Sequence, residues 1–114
     1  MFIDHEAVPP LKFDGLSIID YTAGRETSSS FAEIRVPPGV RHKISWSRRS
    51  DKFYYVADGA IEFMLDNQTR SMSRGDVCIV PKGVRFSYAN VETTEAKLIL
   101  VHTPSFKLDC EVFE

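Results

Sequence analysis

An all-β domain is predicted by three features of the 114-residue chain. Short β-prone runs recur at near-regular spacing along most of its length. Glycine- and proline-bearing turns separate them, and no window sustains a helical period. That combination indicates a sandwich or a barrel of antiparallel strands.

The elements follow in order. Residues 1–15 read as an irregular lead-in, because Pro9-Pro10 blocks regular pairing and Asp14-Gly15 is a turn signal. Leu16 to Thr22 is a strand, and the small polar stretch from Ala23 to Ser30 is a loop. Phe31 to Val36 alternates between two faces before Pro37-Pro38-Gly39 stops it, as a half-buried strand does. Arg41 to Ser47 alternates again, with Lys43, Ser45 and Ser47 on one face and Ile44 and Trp46 on the other. After a charged corner, Phe53 to Ala57 is a strand closed by Asp58-Gly59. Ala60 to Leu65 and Thr69 to Ser73 form a hairpin around Asp66-Asn67-Gln68. Val77 to Val80 and Val84 to Tyr88 flank Pro81-Lys82-Gly83, where proline removes a ladder donor. Lys97 to His102 is the last strand. The tail, residues 105–114, carries Phe106, Leu108, Val112 and Phe113, which suit docking rather than disorder.

Composition bounds the function. The length fits one domain with its own core. A formal net charge of -2 gives no electrostatic case for nucleic acid or an acidic membrane. No apolar run reaches membrane-spanning length and the first residues do not form a signal peptide, so a cytoplasmic protein is the default expectation. Cys78 and Cys110 have no metal or redox spacing and are expected to stay unpaired.

The stretch from Gly75 to Asn90 resembles the second conserved motif of the cupin family, G-x5-P-x-G-x2-H-x3-N. It supplies Gly75, Pro81, Gly83 and Asn90 at the family spacing, with Phe86 in place of the histidine. Upstream, Gly39 to Gly59 is similar to the first motif, G-x5-H-x-H-x3,4-E-x6-G. Ser45 and Ser47 stand at its two histidines and Lys52 at its glutamate. The resemblance implies a single-domain antiparallel β-barrel of the jelly-roll type, with residues 31–104 as its conserved core. It also implies pairing into a homodimer. All four positions that hold a metal in the family carry other side chains. Serine hydroxyls are poor donors to a first-row divalent ion, and an ammonium repels one, so neither metal nor cofactor is expected.

The same resemblance turns Ser45, Ser47, Lys52, Tyr54, Phe86 and Tyr88 toward the barrel interior as a ligand pocket. Hydroxyls, aromatic walls and one cation suit a small organic molecule, and an anion in particular. Tyr54, Lys52 and His102 are the candidate proton-transfer groups for an isomerisation, elimination or cyclisation. Each has a plainer reading. Lys52 can snorkel from the mouth into water, the serines can bond to backbone, and the aromatics can be core. His42 lies off the parity of Ser45 and Ser47 and so cannot directly replace a missing ligand. Arg35, Arg41, Lys43, Arg48, Arg49, Lys52 and Arg85 form either a solvated rim or a cationic mouth. Two alternatives stand beside the small-molecule reading. One is a non-enzymatic binding or accessory protein. The other is a metalloenzyme with ligands drawn from His42, His102, Asp51 or Glu33.

Overall fold

The computed structural model describes all residues, Met1–Glu114. Eleven strands build it: β1 (Leu11–Phe13), β2 (Leu16–Asp20), β3 (Ser30–Val36), β4 (Ser45–Ser47), β5 (Asp51–Asp58), β6 (Ala60–Leu65), β7 (Gln68–Ser73), β8 (Val77–Val80), β9 (Phe86–Ala89), β10 (Ala96–Thr103) and β11 (Glu111–Phe113). They form two antiparallel sheets, ordered β1-β2-β3-β10-β5-β8 and β11-β4-β9-β6-β7. The sheets face one another as a jelly-roll barrel. No helix is long and apolar enough to cross a membrane.

Period-2 alternation generates the core. Along β5 the buried positions are Lys52, Tyr54 and Val56, and along β10 they are Ala96, Leu98, Leu100 and His102. Tyr54 points inward and its neighbour Tyr55 outward, because successive side chains leave opposite faces of a strand. Between the sheets, the rings of Tyr54, Phe63, Phe86 and Tyr88 lie 5.2–6.1 Å apart. Burying such rings is the largest apolar contribution available to so small a domain. Asn90 ties two loops to this frame. Its amide donates to the carbonyls of Val36 and Thr94, both at 2.8 Å, and its oxygen accepts the Glu92 N–H.

Three stretches depart from the sequence expectation. The lead-in is not wholly irregular, since residues 11–13 pair with β2 across a turn that Asp14 and Gly15 make with positive φ. The tail likewise ends in a strand, β11, paired with β4. Most consequential is the segment from Arg41 to Ser47, where regular strand survives only at its end. Arg41 pairs with Ala89 and Ser45 with Phe86, so four steps on one side oppose three on the other. The surplus residue is a bulge, and a bulge reverses the parity of everything before it. Lys43 is therefore exposed, with its ammonium 3.3 Å from Asp14, and does not share the interior with Ser45 and Ser47. Cys78 and Cys110 are both free.

Gly59 closes the tight turn between β5 and β6 at φ +75°, where a Cβ would sit 2.8 Å from the Glu95 carbonyl oxygen. Gly59→Ala is expected to lower unfolding stability by about 1–3 kcal/mol, from backbone strain plus the clash, read as a drop in the urea midpoint at unchanged slope.

Candidate functional site

A cavity of about 430 Å³ opens between the inner face of the first sheet and the two chain ends. Its floor is the barrel interior, with Lys52 and Tyr54 from β5, Leu100 and His102 from β10, and Tyr88 from β9. Leu11 and Phe13 of β1 form one side of its mouth, and Phe106, Leu108 and Phe113 of the tail form the other. The Phe13 and Phe113 rings meet edge to face at 5.2 Å.

Lys52 does not snorkel. Its side chain is buried, its ammonium pairs with the Glu111 carboxylate, and it stands 4.7 Å over the centroid of Phe86. Desolvation pulls its pKa below the ordinary lysine value, and Glu111 opposes that pull. Glu111 was not recognised in the sequence as a site residue. It arrives on β11, and only the pairing of that strand with β4 brings it under the barrel wall. One of its carboxylate oxygens, Oε2, is buried without a partner.

Two imidazoles line the same cavity. His42 enters it because the bulge reverses the parity that simple alternation gives. Its Nδ1 lies 2.6 Å from the Lys43 carbonyl oxygen. A carbonyl can only accept, so Nδ1 carries the proton and Nε2 keeps its lone pair. The His42 backbone is held on both sides, its N–H donating to the Tyr88 carbonyl and its own carbonyl accepting the Ser87 hydroxyl. The ring lies 4.8 Å from that of Tyr88. His102 is buried, stands edge to face with Phe106 at 5.2 Å, and has no partner at Nε2. Burial lowers the pKa of His42 to about 4 and that of His102 to about 3, with the Lys52 charge adding to both. Both rings are therefore neutral at physiological pH.

The tyrosines complete the set. Desolvation raises the pKa of both Tyr54 and Tyr88, so both remain phenols. Each hydroxyl is close enough to affect the other's ionisation, yet the Tyr88 hydroxyl has no hydrogen bond.

Of the side chains expected in the pocket, Lys52, Tyr54, Tyr88 and His102 line the cavity. Ser45, Ser47 and Phe86 are buried outside the cavity lining and make structural contacts. Ser45 Oγ donates to the Lys43 carbonyl, and Ser47 Oγ accepts the N–H groups of Arg49 and Ser50, capping the corner before β5. Phe86 packs under Lys52 in the aromatic cluster. The expected cationic mouth is absent as well. Arg35, Arg41, Lys43 and Arg85 pair outward with Glu95, Glu62, Asp14 and Glu114, and Arg49 holds the Ser105 carbonyl.

The donor set does not fit a divalent ion of the sort this barrel type ordinarily holds. No three His, Cys, Asp or Glu side chains converge. The barrel centre carries an ammonium–carboxylate pair, two hydroxyls and a phenyl ring instead. Fold and site together define a small barrel with a largely apolar cavity that carries a few polar side chains at its floor.

The chain belongs to the cupin family: the cupin domain model matches residues 32–102. No curated protein sequence matches it significantly. Among solved structures, the Streptomyces nucleoside dehydratase Pac13 superimposes with a TM-score of 0.86 at 20% identity, covering all of this chain and 90% of the other. A histidine-to-glutamine variant of that protein with uridine gives 0.84 at 21% identity, covering 97% and 88%. A predicted oxalate decarboxylase from Thermotoga maritima gives 0.81 at 18%, covering 91% and 99%. At these identities the likeness is one of fold.

Two outcomes follow from this geometry. Removing one member of the buried pair, as in Lys52→Met or Glu111→Leu, is expected to cost about 3–5 kcal/mol, and the double variant markedly less than the sum. Chemical denaturation of the three variants reads this directly. Stability also depends on pH through the two imidazoles. Their folded pKa values lie below the unfolded value, so the unfolded chain binds protons first as pH falls. The melting temperature should hold above pH 6.5 and fall between there and pH 4 and below, where His42 and then His102 titrate in the folded protein. Replacing both with glutamine should flatten that slope.

Proposed function

We propose that this protein binds an uncharged, hydroxyl- or amide-bearing organic molecule of nucleoside size inside the barrel and performs metal-independent elimination on it. One observation carries the reading. The buried side-chain polar atoms left without partners, Tyr88 hydroxyl, His102 Nε2 and Glu111 Oε2, all belong to residues lining the same cavity. Orphaned buried polar groups cost stability, and a polar ligand that hydrogen-bonds them recovers it.

The charge balance argues against the anionic ligand expected from sequence. Lys52 is neutralised by Glu111, and the remaining charged lining residues, Lys12 and Asp20, are one of each sign. Both histidines are neutral, and one oxygen of the cavity-lining Glu111 carboxylate is buried without a partner. That oxygen repels a phosphate or carboxylate and accepts from a hydroxyl or an N–H.

For chemistry, His42 Nε2 is a free base on a ring whose tautomer is fixed by the Lys43 carbonyl. Across the ring contact, Tyr88 is a phenol with an unspent proton. A base and an acid on one cavity permit loss of water. The imidazole takes a proton from carbon, the C–O bond breaks as C=C forms, and the phenol protonates the departing hydroxide. The proton on His42 then returns to the tyrosinate. The dehydratase named among the structural neighbours, and its complexes with uridine, support this choice of ligand class and reaction. Tyr54 and Lys52 fit the same reading as groups that orient the ligand.

Thermal-shift and calorimetric titration with uridine and with uridine 5′-phosphate test the ligand class. Uridine is expected to raise the melting temperature and its phosphate to do so at least tenfold more weakly; the reverse order sinks the reading. On any substrate turned over, Tyr88→Phe and His42→Gln should each lower kcat by about 10²–10⁴-fold. Metal analysis of chelator-free protein should give no stoichiometric iron, manganese, nickel or zinc.

A further inference from the structure

The inner face of the first sheet divides into two parts of different chemistry, and strand register shows where the division falls. Across β3, β10 and β5, Ser30, His102 and Lys52 stand in one row, and Ala32, Leu100 and Tyr54 in the next. The row after that is wholly apolar, running from Leu98 through Ile34 and Ile18 to Leu11 on β1. Phe13 pairs with Leu16 beside it. Hydrogen-bonding side chains thus gather on β5 and β10. The wall that β1 and β2 give the cavity is aliphatic and phenyl except for Asp20 at its margin.

Polar groups near that wall are already engaged. Asp20 Oδ1 accepts the N–H and the hydroxyl of Thr22 at 3.0 and 3.1 Å. Ser30 Oγ accepts the Phe106 N–H at 2.7 Å. Lys12 alternates with Leu11 and Phe13 and is exposed to water. The three buried polar atoms that lack partners belong to Tyr88, His102 and Glu111, and none of them comes from β1, β2 or β3.

We infer that the ligand is amphipathic, with a hydroxylated head at the β5–β10 end and an apolar aryl or short alkyl group held between β1–β2 and the tail residues Phe106 and Leu108. This rests on the small-molecule reading above and narrows it to one substrate class. A second polar ring against the apolar wall would give up its water and find no hydrogen-bond partner in exchange. An apolar group there gains about fourfold in affinity for each methylene it hides from water. The mouth points the same way. Leu11 and Leu108 are 58% and 65% exposed, and Phe106 and Phe113 are 38% and 37% exposed. They leave apolar surface in water around one opening, and an apolar group lodged there would cover it.

Calorimetric titration of the wild-type chain with uridine and with phenyl β-D-ribofuranoside tests the assignment. The two probes share a ribose head and differ in the ring attached to it, amide-bearing in one and apolar in the other. The phenyl riboside is expected to bind about tenfold or more tightly than uridine. Uridine binding equally well or better overturns the amphipathic assignment and leaves the small-molecule reading in place. Failure of both probes to bind at millimolar concentration overturns that reading, and this inference with it. Leu11→Ser/Leu108→Ser then locates the apolar end, because both positions are exposed and the variant should keep the wild-type far-ultraviolet spectrum. Its preference for phenyl over uracil should fall about fivefold or more. An unchanged preference, including one in which both affinities drop together, overturns the placement. Should the variant fail to fold, the wild-type comparison still decides whether the ligand is amphipathic.

Discussion

A buried ammonium–carboxylate contact joins the barrel wall to the last strand of the chain, and the arrangement of the cavity depends on it. Lys52 stands on β5 where the family motif has a metal-binding carboxylate, and Glu111 reaches it from β11. Neither charge is tolerable there alone, since removal from water costs several kcal/mol per ion. Together they occupy the barrel centre, draw the tail over the opening, and set a positive and a negative group at one end of a largely apolar cavity. The lysine charge of this pair adds to the low basicity of both histidines, and Glu111 opposes it at His42. Where the family motif places metal ligands, this chain places an ion pair as its electrostatic anchor.

That difference changes what chemistry is natural to the site. A metal centre polarises a substrate by direct coordination and supplies a Lewis acid. This cavity instead offers neutral imidazoles, protonated phenols and one half-satisfied carboxylate, which are proton donors and acceptors held at fixed positions. Such a set suits reactions whose barrier is the movement of hydrogens.

Much of the architecture was legible in the sequence because period-2 alternation and glycine–proline punctuation are local signals. Tyr54 inward against Tyr55 outward follows from parity alone, and the motif spacing around Gly75 and Asn90 marks the barrel. Four of the pocket residues, Lys52, Tyr54, Tyr88 and His102, lie on regular strands and could be read in that way. The misses have a common cause. His42 sits before a bulge that no residue pattern announces, and one inserted residue flips the face of all that precedes it. Glu111 lies in a tail whose partner strand is more than sixty residues upstream, so its placement is a property of pairing rather than of composition. Ser45 and Ser47 are buried, with their hydroxyls bonded to backbone groups.

The mouth of the cavity has a different origin from its floor. Side chains at the floor come from the barrel strands themselves, while those around the mouth come from residues 11–13 and 106–113, the two ends of the chain, which touch through Phe13 and Phe113. Terminal segments accept insertions and replacements that a closed barrel would not survive. Side chains around the mouth can therefore change without disturbing the strands that carry Lys52, Tyr54 and His102, as a collar separable from its vessel.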